Sequence, residues 1–211
     1  MTTTICFNRR YLSLLCCVLL GACVNLERSY PDKHYFVLDV SSKPPSTTRT
    51  VKGVLAVSDM RVSRRYEGQS FVYRLSDTSY ESDFYNQFLI APAALITEEV
   101  RKTLAQAQVF EDVISSSTDW EPTYRLQGVV NSLYGDFTDA HAARAVMEMQ
   151  FFLTKKTPAG EEIVMAKRYI KSVPVSARSP DALVKGWDTA LEDILNSFIA
   201  DLKSANLQSQ S

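Results

Sequence analysis

With 211 residues, 23 basic against 24 acidic side chains and a formal net charge of −1, the chain has room for one domain of ordinary size. It lacks the basic excess with which a protein neutralises nucleic-acid phosphates or clings to an anionic membrane surface. Its seven glycines form neither a phosphate loop nor a dinucleotide fingerprint, and no serine stands in a G-x-S-x-G elbow, so nucleotide chemistry and elbow-type hydrolysis lack their scaffolds.

In chain order, the first element is an export signal over residues 1–22. Arg9 and Arg10 supply a basic start, Tyr11 to Leu20 an apolar run, and Gly21 and Ala22 the small residues before a cut. The run is too short to span a bilayer, which needs about 20 residues. Leu19-Leu20-Gly21-Ala22-Cys23 resembles a bacterial lipoprotein signal, with Leu three places before the cut and Cys immediately after it. Cys6, Cys16 and Cys17 leave with the signal, so the mature chain keeps Cys23 alone, as its lipidation site, and forms no internal disulfide. Cleavage leaves 189 residues with 21 basic and 24 acidic side chains, a net charge near −3. Each buried methylene of an acyl chain contributes about 0.8 kcal/mol, so diacylglyceryl and amide-linked palmitate-type chains together anchor the protein stably. Val24 follows the cysteine where the inner-membrane retention pattern has Asp. The expected location is the outer membrane, facing the periplasm.

Residues 23–34 read as a polar, lipidated tether that stretches to about 35 Å. Residues 35–203 read as a single domain, and 204–211 as a polar tail that frays. Within the domain, Tyr35 to Leu38, Gly53 to Val62 and Phe71 to Leu75 have strand character, with an exposed proline- and hydroxyl-rich loop from Ser41 to Thr48. From Pro92 to Ala107 the residues Ile96, Val100, Leu104 and Ala107 recur at helical spacing, and Glu98 can reach Lys102. Phe110 to Ile114, Tyr124 to Phe137, Arg144 to Lys155 and Ile163 to Val173 return to strand patterns; Thr157 to Gly160 is a turn between the last two. Ser179-Pro180-Asp181 then caps a second helix whose stripe runs from Leu183 through Trp187, Leu191, Ile194 and Phe198 to Leu202. The fold class is α+β: a single domain with a mostly antiparallel or mixed sheet and two main amphipathic helices packed on one face.

Candidate chemistry is sparse. His141 with Asp136 and Asp139 could hold a metal loosely, but a solvated hairpin end accounts for them far better. Neighbouring acids such as Glu98-Glu99 and Glu192-Asp193 diverge by about 100° on a helix and read as solvated surface charges. No catalytic, cofactor or metal residues are assigned, and no enzyme activity is expected. The positive feature is an aromatic belt: Tyr66, Phe71, Tyr73, Tyr80, Phe84, Tyr85 and Phe88. Half of it can pack the sheet and first helix. The remainder can form an interface, for which Tyr80, Phe84, Tyr85 and Phe88 are the candidates, since aromatics anchor contacts; Tyr80, Phe84 and Phe88 would share a face if this stretch were helical.

Tyr35-Phe36-Val37-Leu38, Val54 to Val57, Phe71 to Arg74, Tyr85 to Pro92, Thr97 to Leu104 and Val109-Phe110 together resemble the ABC-type transport auxiliary lipoproteins, the group that includes the paraquat-inducible protein C type. One departure is Phe88, where many members carry Trp. The resemblance implies a non-enzymatic outer-membrane component of a lipid-transport system. Its partners would be a mammalian-cell-entry-type (MCE-type) periplasmic protein and, through it, a permease and ATPase, with the auxiliary component arranged as a ring of identical subunits. The alternatives are a free-standing periplasm-facing lipoprotein that carries lipid in its own cavity, and an enzyme with a site of unfamiliar form.

Overall fold

A computed structural model describes residues 32–41, 51–139, 141–205 and 207. The signal, Cys23, most of the tether, Ser42 to Thr48 and the last four residues lie outside the described residues.

The backbone of the sheet is a hairpin of two long strands, β7 (Tyr124–Asp136) and β8 (Arg144–Thr157), paired antiparallel and continued by β9 (Gly160–Pro174). Along its other edge β7 carries three short parallel partners in tandem. β2 (Val51–Val57) pairs at Tyr124 to Leu126, β3 (Arg61–Val62) at Val129 and Val130, and β4 (Ser70–Arg74) at Gly135 and Asp136. The stretch from Gly53 to Val62 is thus two strands. Between them the Met60 N–H donates to Thr97 Oγ1 at 2.9 Å, drawing the chain toward the first helix. β6 (Phe110–Ser115) extends the sheet beside β2, and β5 (Tyr80–Phe88) with β1 (His34–Phe36) beside β4. Among the described residues the sheet is mixed and has nine strands.

Alternation decides which face is core. Ala145, Met147, Met149, Phe151 and Leu153 on β8 are buried, and so are Leu126, Val130 and Leu133 opposite them on β7. A register shift between Val130 and Ser132 moves the inward set from even to odd numbers. Both helices cover this face. In α1 (Pro92–Ala107), proline starts the first turn, and Ile96, Val100, Leu104 and Ala107 are buried as their spacing predicts. In α2 (Pro180–Ser204), Ser179 Oγ accepts the Ala182 N–H at 3.3 Å, and Asp181 sits at the positive end of the helix. Gly186 lets α2 lie close on the sheet, since a Cβ there would stand 2.6 Å from that of Ala145. Trp187 is fully buried, its ring 5.0 Å from Phe71 and 5.6 Å from Phe88, and its Nε1–H donates to the Tyr134 carbonyl at 3.3 Å.

The segment after β1 is clipped to both helices. The Asp39 N–H donates to Asp188 of α2 at 3.0 Å and the Val40 N–H to Glu99 of α1 at 2.9 Å. Lys102 bridges Asp39 and Glu99 at 2.9 and 2.7 Å. Two expectations are corrected here. Lys102 pairs with Glu99 rather than Glu98, and Glu99, at 8% exposed, is an internal ligand for backbone rather than a solvated charge. The Lys102 ammonium holds the Asp39 carboxyl below its ordinary value. Burial, reinforced by the charges of Asp39 and Glu99, pushes Asp188 up to about 6.

Loss of Trp187 would leave a cavity at the junction of α2, β4, β5 and β7. Trp187→Ala is expected to cost about 3–5 kcal/mol in denaturant unfolding. Asp188 gives a pH dependence of definite sign. Its folded pKa of about 6 lies above the ordinary aspartate value of 3.8, so its contribution is fully present below pH 4 and is lost as pH rises through 6. Asn at this position keeps an acceptor for the Asp39 N–H and stays neutral. The stability of Asp188→Asn relative to the parent should therefore rise by about 1–2 kcal/mol between pH 4 and pH 7, read from urea midpoints, after discounting for partial exposure.

Candidate functional site

The aromatic belt is not helical: Tyr80 to Phe88 is strand β5, and its irregular register separates residues that a regular spacing would group. Val72 of β4 pairs with Ser82, whereas Ser70 pairs with Gln87, so β5 carries extra residues between these two rungs. Asp83 organises the bulge. Its Oδ1 accepts the N–H groups of Tyr85 and Asn86 at 2.8 and 3.0 Å, and its Oδ2 accepts Tyr73 Oη–H at 2.6 Å and Asn86 Nδ2–H at 2.8 Å. Burial works against the charged carboxylate, but these four donors hold Asp83 below the usual carboxylate range. The same pairing, after burial itself, raises the Tyr73 phenol and keeps it protonated as the donor.

The four candidate aromatics divide three ways. Phe88 is 2% exposed and packs on Phe71 at 4.7 Å and on Trp187, so it belongs to the core and presents no surface. Phe84, at 63% exposed, and Tyr85 stand out on the bulge with their rings edge to face at 5.3 Å. Tyr80 joins a separate cluster: its ring meets Tyr134 edge-on at 6.0 Å, Tyr66 stacks on Tyr134 at 5.9 Å, and the Arg65 guanidinium lies 5.5 Å from the Tyr80 centroid. Arg74, paired with Asp77 and Asp136, flanks this cluster. Because Leu133 and Gly135 face the helices, Tyr134 and Asp136 point the other way, and the tyrosine–arginine cluster lies on the helix-free side of the sheet.

Sequence reasoning did not find Arg65 and Arg74 as members of this surface, nor Tyr35, Val37, Leu89 and Ile90 beside the bulge. The signal for the latter was present: Tyr35 and Val37 alternate with buried Phe36 and Leu38. Asp136 and Asp139 serve their own turn. Asp136 accepts from Thr138 and pairs with Arg74, while Asp139 accepts the His141 N–H at 2.8 Å. Surface depressions lie against Glu121 and Lys156, against Asp59 and Arg101, and against Asp39 and Lys102.

The family model for the ABC-type transport auxiliary lipoprotein component matches residues 36–198. The chain belongs to that family. It is a transport auxiliary family rather than an enzyme family, and it covers the whole sheet from the end of β1 and most of α2. No curated protein matches the chain. Among solved structures, protein XCC0632 from Xanthomonas campestris superposes with a TM-score of 0.73 at 14% identity, covering 84% of this chain and all (100%) of that one. An uncharacterized protein gives 0.64 at 15% identity, covering 81% of this chain and 99% of its own. The hypothetical protein CT253 from Chlamydia trachomatis gives 0.50 at 9% identity, covering 73% and 99%. At these identities the likeness is one of fold.

The division of the belt is directly testable with charge substitutions. Phe88→Glu places an unpaired charge against Trp187 and should abolish cooperative unfolding and near-ultraviolet dichroism. Phe84→Glu should leave both intact, with stability within about 0.5 kcal/mol of the parent.

Proposed function

We propose that this auxiliary lipoprotein is anchored in the outer membrane through acyl chains on Cys23, faces the periplasm, and docks the periplasmic conduit of an MCE-type ABC lipid-transport system. The observation that carries the reading is the order of parts: a Leu-Gly-Ala-Cys signal at residues 20–23 followed by a family match that starts at residue 36. Val24 after the lipidated cysteine favours the outer membrane. The domains follow from this, with 1–22 removed, 23–34 as tether and 35–203 as the docking domain. The exposed part of the tyrosine–arginine cluster, Tyr80 with Arg65 beside it, lying over buried Tyr66 and half-buried Tyr134 and flanked by Arg74, suits the protein contact, because interface hot spots are enriched in tyrosine and arginine. Its partner is an MCE-type protein, which connects to the permease and ATPase, and a ring of identical subunits would present several copies of the cluster to one conduit.

Two measurements bear on this. Cys23→Ser should release a folded domain into the soluble fraction or leave an unprocessed precursor, because the acyl chains supply nearly all the membrane affinity of an acidic protein; normal processing with continued flotation on outer membranes would refute the anchor. Arg65→Glu should weaken co-purification of an MCE-type protein at least about tenfold, as loss of an interface anchor does; unchanged recovery would remove the cluster from the contact.

A further inference from the structure

We infer that the outer face of the β1–β5 edge is a lipid-contact surface, seated on the bilayer that holds the N-terminal acyl chains. The proposal rests on the anchor reading for where the membrane lies, and on the geometry for which face meets it.

Six apolar side chains project here without cover: Tyr35, Val37, Phe84, Tyr85, Leu89 and Ile90. Their arrangement is enforced. β1 and β5 run parallel with Tyr35 opposite Gln87 and Phe36 opposite Phe88, and the Leu89 N–H donates to the Phe36 carbonyl at 2.8 Å. Since Phe36 and Phe88 point into the core, Tyr35, Val37, Gln87 and Leu89 must point out together. Tyr35 is 55% and Leu89 54% exposed. The bulge adds Phe84 and Tyr85, fixed by the four hydrogen bonds to Asp83. Lys33 lies over the Phe84 ring, its Nζ 4.3 Å from the centroid.

Lipid fits this face better than a protein partner for two reasons. The first is reach. Nine residues lie between Cys23 and Lys33, and a fully extended chain of that length reaches about 35 Å, so Lys33, beside the patch, is within chain reach of a bilayer that holds the acyl chains. The second is chemistry. Tyrosine and phenylalanine rings among aliphatic side chains, with a lysine able to extend its ammonium toward phosphate, match the interfacial zone of a bilayer. A patch of this kind adds little affinity beside acyl chains. It sets orientation, giving the anchored domain a fixed face to the membrane.

The test uses the acylated chain reconstituted in vesicles of phosphatidylethanolamine and phosphatidylglycerol, with and without bromine on the acyl chains. Phe84→Trp and Leu89→Trp place an indole in the patch, and Ile163→Trp places one on exposed β9 as a control; the unsubstituted chain gives the background of Trp120 and Trp187. The new indoles at 84 and 89 are expected to emit at shorter wavelength, resist acrylamide and lose intensity with brominated lipid, whereas that at 163 does none of these. Indifference to bromination at both patch positions overturns the proposal. So does equal quenching at all three positions. Shielding that follows protein density and ignores bromine assigns the face to a second copy, and also overturns it. Intact mass of the same sample reports acylation separately. Protein without acyl chains is added to the vesicles from outside and read in the same way, so failure of the anchor and failure of the face are distinguished.

Discussion

Trp187 gathers the parts of this fold that are most distant in sequence. Phe36, Phe71 and Phe88 come from three neighbouring strands, with centroids 5.2 Å apart for Phe36 and Phe71 and 4.7 Å for Phe71 and Phe88, and the indole closes the group from α2. Strand geometry then leaves little freedom. Once Phe36 and Phe88 point inward, their neighbours must point out, and the outward residues are tyrosine, valine and leucine rather than charges. The exposed face of the β1–β5 edge is a consequence of what the indole holds on the other side.

Elements with a sustained period were legible in the sequence. Both helices announce themselves by apolar residues three and four apart and by a first-turn proline, and they fall over Pro92–Ala107 and Pro180–Ser204. The aromatic belt was not legible to the same degree, because one irregularity in β5 destroys the relation between spacing and side. Phe84 and Phe88, four apart, would share a face on a regular strand or on a helix; the Asp83 turn between the rungs puts one in solvent and the other against Trp187. Glu99 escaped for another reason. Its partner is a backbone N–H 59 residues away, and no local pattern marks a carboxylate whose ligand is brought by tertiary structure.

The outer edge strand shows how the sheet keeps an extended surface from pairing indiscriminately. β9 pairs with β8 along its length and, among the described residues, with no other strand. It carries Lys167 and Lys171 toward Asp201 and Asp193 of α2, and Arg168 toward Glu148. Positive side chains along such an edge disfavour a further strand, which would have to desolvate them. The β1–β5 end carries no such row of paired lysines and arginines on its outward positions, where Tyr35, Val37 and Leu89 stand.

The segment from Lys33 to Ser41 carries three physical tasks at once, and this explains why it is bound so heavily. It leads into the sheet, it supplies Tyr35 and Val37 to the outer face, and it donates two backbone N–H groups to carboxylates on different helices. A short strand of three residues held by one neighbour would peel away under any pull on the chain. The Asp188 and Glu99 acceptors, with Lys102 fixing the charges between them, transfer such a load from β1 to the helices and so to the core around Trp187. A domain keeps a defined orientation relative to whatever holds its N-terminal side only if the segment on that side is rigid with respect to its body. Here that rigidity comes from hydrogen bonds made across the fold rather than from the strand itself.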